Sequence, residues 1–589
     1  MPAHRQVPLH PMTRASQRSS QLASSLLLVL LALHSPASEL DDLVKRANGA
    51  QGKVKRYLDD LRERASDPGT MNEADWQALR EAETSIETPP FRRLLAGGNT
   101  LQYEVENFRA NAFEAYATKG DEAHALDTLQ AMGQAMLVPH LNLLIQERFP
   151  TSQANPALQR IMAQNTVAAR MGKQSALGTA YQPALSDAEK AAGLSLYWSQ
   201  ARSYFVHFDH VADLDWDAAY LSFLPKVQAA KTTKDYYRVL MQFAALLHDG
   251  HSNVYPPAQL EADFYSRPPM RTALIEGKVV VTSVQSPSLQ QRIAVGDEIV
   301  AIDGQPAQQY ARQNIEPYVS SSTPQDLQAR LYGSQLLAGA EGKPLKLTLA
   351  KAGGKASQLT VARSGYTDVV PRKFFDFHIL PGNIAYLSLD HFETDQGLRL
   401  FREHLPEIQQ ARGLILDVRR NGGGNTGIGL NILAHLTDKP IPNGAYSVRA
   451  DSGLDHTRFD WLRMRPDSTG EFFKPEPVEQ YTGPVMVLAG AQTFSAAEDF
   501  LMAFDVIARG KIIGEPSGGS TGQPLLFSLP GGGLGRICVK RDAYPDGKPF
   551  VGIGIQPQIV VAPTVADIRE GRDPVLERAK TEIEQIAAH

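Results

Sequence analysis

Two largely apolar runs, each ending in a corner of small residues, constrain this chain most. Leu414-Ile415-Leu416-Asp417-Val418 runs into Asn421-Gly422-Gly423-Gly424-Asn425. Val485-Met486-Val487-Leu488-Ala489 leads to Thr493-Phe494-Ser495. Runs of this length read as buried-type strands. Ile384-Ala385-Tyr386-Leu387 is a further strand, and helices near 396–410 and 496–508 alternate with these strands. Residues 366–563 therefore read as an α/β domain.

The remaining chain divides by pattern. Residues 39–185 read as a helical N-terminal domain, with Met132, Met136, Leu137, His140, Leu141 and Leu144 at helical spacing. Such a stripe is ordinarily core. Residues 186–267 form a second helical segment, opened by Ser186 and Glu189 as a capping box. Its last helix, near 233–247, stops at Leu247-His248-Asp249-Gly250-His251-Ser252. Residues 268–365 alternate as a small β-rich domain, with strands at 279–284 and 345–349. Residues 564–589 read as a helical tail.

Residues 1–38 have the order of a signal peptide. Arg5, Arg14 and Arg18 precede an apolar run from Leu22 to Leu33, and small residues around Ala37 follow. The run is shorter than the ~20 residues of a spanning helix. The expectation is cleavage after Ala37 and an exported, periplasmic or extracellular protein with no stable membrane span; an uncleaved anchor is the alternative. Lys+Arg number 59 and Asp+Glu 64, for a formal charge of −5. That balance supplies no overall drive onto nucleic acid. A single cysteine, Cys538, leaves no internal disulfide framework and no site built of cysteines.

Ser495 stands where a buried strand gives way to a helix. There its hydroxyl can act as a nucleophile at the positive end of the helix dipole, with the Ala496 N–H aimed at developing negative charge. It can equally serve as an ordinary N-cap. The glycine run allows close backbone approach and can offer a second amide to an oxyanion, although a flexible turn or a phosphate cradle would look the same. No Gly-Lys-Ser/Thr ending supports a nucleotide loop. A serine nucleophile needs a base. His248 and His251 lie three apart around Asp249, a spacing also open to a metal pair, but no further ligand set accompanies them.

In order along the chain stand Leu247–Ser252, Val295-Gly296-Asp297-Glu298-Ile299, Leu416–Gly424, Thr493–Phe500, Gly514-Glu515-Pro516 and Gly552–Pro557. This ordered set resembles the tail-specific (C-terminal processing) serine proteases and the related tricorn protease core, over roughly residues 190–565. The resemblance implies a ClpP/crotonase-like α/β core with an inserted PDZ-like domain. It implies Ser495 as nucleophile, with Gly423 and Ala496 forming the oxyanion hole. The family's lysine, about 25 residues after the serine, has no counterpart in Gly518-Gly519-Ser520-Thr521-Gly522. His251, matching the tricorn-like histidine, is therefore the expected general base. The tricorn-like glutamate has no counterpart at Val551-Gly552, and Glu498, one turn after Ser495, is the expected substitute.

The expectation is thus an exported serine endopeptidase acting on peptides or proteins through an acyl-enzyme. It uses no metal or organic cofactor, and an oligomer is compatible with it. A non-catalytic peptide or apolar-ligand binding protein on the same fold is the alternative, and a non-peptide acyl hydrolase is a third reading.

Overall fold

The computed structural model describes residues 51–88, 99–131, 177–351, 356–363, 373–450, 463–469, 472–473 and 478–587, with Phe91, Gly354 and Thr457 besides. The apolar run of residues 22–33 and the stripe from Met132 to Leu144 lie outside them. Two compact units, residues 1–174 and 175–589, make up the chain. Among the described residues, no helix is long and apolar enough to cross a membrane.

In the first unit, helices α1 (Gln51–Ala65), α2 (Glu73–Ile86), α3 (Asn99–Lys119) and α4 (Glu122–Ala131) enclose their own core. Val54, Leu58, Leu61, Trp76, Leu79, Phe108, Phe113 and Tyr116 are buried in it. Asn72 and Asp75 close a reciprocal capping box at the start of α2.

The second unit opens with α5 (Asp187–Tyr204), whose Ser186 and Glu189 form the capping box expected there. Helices α6 (Trp216–Ala229) and α7 (Thr233–Ala245) pack on it around Tyr197, Trp216, Phe243 and Leu247. The chain then turns through residues 246–252 into a short strand, β1 (Asn253–Tyr255).

Strands β2 (Met270–Ile275), β3 (Lys278–Val284), β4 (Glu298–Ile302), β5 (Leu345–Ala350) and β6 (Ala356–Val361) form an antiparallel sheet in that order. This sheet has a separate core that includes Val281, Ile299, Ile302, Leu347 and Leu349. It occupies the stretch read as β-rich.

The central sheet comprises β7 (Phe375–Leu380), β8 (Ile384–Leu389), β9 (Gly413–Asp417), β10 (Val485–Ala489), β11 (Lys511–Gly514) and a last short strand at Ile559–Val560. All neighbours are parallel except β7, which runs antiparallel at the edge. Every residue of β8, β9 and β10 is buried, as double-sided coverage requires. Helices α8 (Gln396–Gln410), α9 (Thr426–Ala434) and α10 (Ala496–Val506) cover one face, while Val575, Ala579 and Ile583 of the C-terminal helix α11 (Pro574–Ala587) cover the other. Strands β9 and β10 are neighbours, so the glycine corner and the serine corner emerge together at the carboxyl end of the sheet. Open α/β sheets bind ligands at that end.

Candidate active site

The corner after β10 is tightly held. Phe494 N–H donates to the Asn421 carbonyl at 3.0 Å, and Thr493 Oγ1–H donates to the Val418 carbonyl at 2.8 Å. Both bonds tie the serine corner to the glycine corner. Ser495 has φ +56° and ψ −129°. A non-glycine residue there costs about 1–3 kcal/mol and persists only where its surroundings hold it. Its N–H donates to the Ser520 carbonyl at 3.0 Å, and Glu498 N–H donates to its carbonyl at 2.7 Å. The hydroxyl makes no helix-capping bond, so the N-cap reading of Ser495 fails.

The Ser495 hydroxyl instead meets His251, with Oγ and Nε2 3.1 Å apart. His251 is 1% exposed, and its ring stacks on Phe494 at 4.7 Å between centroids and 11° between planes. Strand β1 fixes the histidine loop from the other side by pairing with β12 (Leu534–Cys538), Asn253 lying opposite Arg536. Burial holds the imidazole well below its ordinary value of 6.5, and the charges of Arg536 and Arg330 add to that effect. The ring is therefore neutral at neutral pH, the state a general base requires.

The other ring nitrogen identifies a residue that sequence reasoning passed over. His251 Nδ1 lies 2.9 Å from Ser520 Oγ. For Nε2 to accept the Ser495 proton, Nδ1 must carry hydrogen and donate it to Ser520 Oγ. Ser520 stands 25 positions after Ser495, where the resemblance leads one to expect a lysine. The only signal was that position, and a serine in a glycine-rich loop carries little pattern of its own.

Glu498 makes no hydrogen bond to His251, contrary to its expected place as the third member. Its Oε1 accepts from Ser517 Oγ–H at 2.6 Å and from Gly519 N–H at 2.7 Å, and its Oε2 accepts from Ser520 N–H at 2.8 Å. The side chain is fully buried, and burial pushes its carboxyl up to about 7. It braces the loop that presents Ser520 and acts on the imidazole only through that residue.

The two expected oxyanion donors also separate. Among the described residues, Ala496 N–H has no acceptor within the chain, so it is open to a ligand. Gly423 N–H donates to Asn421 Oδ1 at 2.9 Å. What Gly423 supplies instead is the lack of a side chain. A Cβ there would stand 2.7 Å from Ser495 Cβ and 2.9 Å from Ala496 N, filling the space in front of the open amide. Its φ of +94° is also one that only glycine adopts readily.

His248 is exposed at φ +46°, and both nitrogens of His251 are engaged, so the two histidines do not converge on a metal. Beside Ser495 a cavity of about 320 Å³ is lined by Gly250, Gly422, Gln492, Phe494, Arg330 and Arg536 among others. Tyr255 and Arg330 also line a second cavity of about 640 Å³.

A strained serine facing a neutral imidazole stands at the carboxyl edge of a parallel sheet in an α/β protein. Residues 383–561 match the model of Peptidase family S41, and residues 186–245 match that of the Tricorn protease C1 domain. Both matches support a place in the tail-specific protease family. A carboxy-terminal-processing protease of Bartonella bacilliformis is 26% identical over 306 residues, which are 51% of this chain and 61% of that protein. The chain therefore spans about three fifths of that relative's length. Among solved structures, mature CPAF is 16% identical with a TM-score of 0.52, over 68% of this chain and 96% of that one. A CPAF mutant reaches 17% and 0.55 over 68% and 98%. At these identities the likeness establishes the α/β fold of the S41 proteins.

Proposed function

We propose that this protein is an exported serine endopeptidase of the C-terminal-processing type, acting on peptides or proteins. The observation that carries the reading is the 3.1 Å approach of His251 Nε2 to the strained Ser495 hydroxyl. The relative named for carboxy-terminal processing supports the substrate class.

His251 takes the Ser495 proton as Oγ bonds to the substrate carbonyl carbon, and Ser520 Oγ holds the imidazolium through Nδ1–H. The carbonyl oxygen becomes an oxyanion and accepts from Ala496 N–H, a donor worth about 3 kcal/mol of barrier. Gly423 N–H becomes a second donor only by leaving Asn421 Oδ1. Return of the proton to the amine nitrogen releases the leaving group as the C–N bond breaks. Water then attacks the acyl-enzyme by the reverse proton path. No step calls on a cofactor. The arginine-lined cavity beside the serine gives a peptide segment room on one side.

The test is a panel of matched peptide and ester substrates with the wild-type protein and Ser495→Ala. The expected result is peptide cleavage lost in the variant. Cleavage of esters alone would move the assignment to an acyl hydrolase. No turnover by well-folded wild type would favour a binding protein.

A further inference from the structure

Next to the loop that carries His251, three segments remote in sequence bring together an imidazole, a carboxylate and a thiol. His207 follows α5, Asp249 lies two residues before His251, and Cys538 ends β12. One ligand atom of each lies within 4.8 Å of the others. All three residues are buried, at 1%, 2% and 0% exposure.

His207 is the anomaly. Among the described residues, neither of its buried ring nitrogens has a hydrogen-bond partner. A buried polar group without a partner costs about 1–3 kcal/mol, and native proteins seldom leave both nitrogens of one ring so placed. Among the described residues, the Cys538 thiol has one weak partner, the Lys540 carbonyl at 3.4 Å.

We infer that His207, Asp249 and Cys538 form a binding site for a divalent cation of the zinc class. Imidazole, carboxylate and thiolate together suit borderline-soft Zn²⁺ rather than Mg²⁺ or Ca²⁺. Two anionic donors balance the double charge, so the buried site is neutral overall. Zinc bonds of about 2.0–2.3 Å bring donor atoms to roughly 3.3–3.7 Å of one another, so the three side chains close by about 1 Å. Binding releases the thiol proton to solvent, and a fourth position remains for water or another donor.

The site would anchor the loop that carries the general base. Asp249 already accepts the His251 N–H at 3.0 Å, and Cys538 N–H donates to Ser252 Oγ at 3.0 Å. A cation there would lock both ends of the segment 249–252 to β12 and to the turn after α5. His251 itself is not a ligand, since both of its nitrogens are engaged. The inference does not depend on Ser495 being a nucleophile, because its readout is the metal.

The test measures bound zinc by elemental analysis of the dialysed full chain, and the near-ultraviolet spectrum after loading with Co²⁺. The expected results are about one zinc per chain and a thiolate-to-cobalt charge-transfer band. The Cys538→Ser variant should lose the band and weaken zinc binding at least tenfold. His207→Gln should weaken it similarly. Wild type that takes up no zinc, or that binds Co²⁺ without a thiolate band, overturns the site. Both wild-type measurements decide the matter even if the variants do not fold.

Discussion

Ser520 presents its hydroxyl 2.9 Å from His251 Nδ1 while its backbone N–H donates to Glu498 at 2.8 Å. A neutral hydroxyl thus does the orienting, and the acidic residue stands one step further back. The contacts run in the order Ser495, His251, Ser520, Glu498. Glu498 and Ser495 both sit at the start of α10.

Replacing Ser520 by Ala removes the acceptor for Nδ1–H and leaves a buried donor without a partner. That costs about 1–3 kcal/mol. The expected result is a fall in kcat of about tenfold to hundredfold with KM little changed. Steady-state kinetics on a cleaved peptide checks it. Unchanged kcat would remove Ser520 from the account.

Gly423→Ala should silence the site more completely. The added methyl meets Phe494 O and Ser495 Cβ at 2.7 Å and sits before the Ala496 amide. The backbone there also has φ +94°, which alone costs alanine about 1 kcal/mol or more. Loss of turnover with a modestly lowered Tm is expected; wild-type turnover would show that the amide of Ala496 is not the oxyanion donor.

Glu498→Gln replaces an acceptor by an amide group that turns donors toward Gly519 N–H or Ser520 N–H. The loop 517–520 should loosen, costing about 1–3 kcal/mol of stability and lowering kcat together with it. Denaturant unfolding and kinetics on the same sample check both. A variant that loses activity at full stability would place Glu498 in the chemistry itself.

The acid limb of the pH profile follows from burial of His251. The folded imidazole is held well below 6.5, first by desolvation and then by Arg536 and Arg330. Protonated imidazole cannot take the serine proton, so kcat/KM should stay level as pH falls to 6.5 and drop only below it. Linkage has the same sign: the unfolded chain binds the proton more readily, so this group's share of stability is present above 6.5 and is lost as pH falls through the folded value. A limb centred above 6.5 would contradict the burial argument.

Much of this was readable in the residues. The apolar runs at 414–418 and 485–489 read as buried strands of an α/β domain, and their corners marked where a nucleophile and amide donors could meet. The strand and helix positions around Ile384, Gln396 and Leu345 lie where periodicity put them. What could not be read were contacts between remote segments. Ser520 sits in a loop of glycines and hydroxyls with no periodic signal. Asn421 Oδ1 claims the Gly423 amide through a local turn that the glycine run does not announce. His207 and Cys538 are 331 positions apart, and only the pairing of β1 with β12 and the packing of α5 bring them together. Glu498 was singled out for its place one turn after Ser495, and its use depended on where the loop 517–520 folds back.

The central claim is that His251 activates Ser495, and the most direct measurement is the rate of covalent labelling by a fluorophosphonate, followed by intact mass and mapped by peptide sequencing. The account predicts one adduct on wild type, located at Ser495, with labelling slowed at least a hundredfold in His251→Gln and absent in Ser495→Ala. Labelling of His251→Gln at the wild-type rate, or an adduct on another residue, would contradict it.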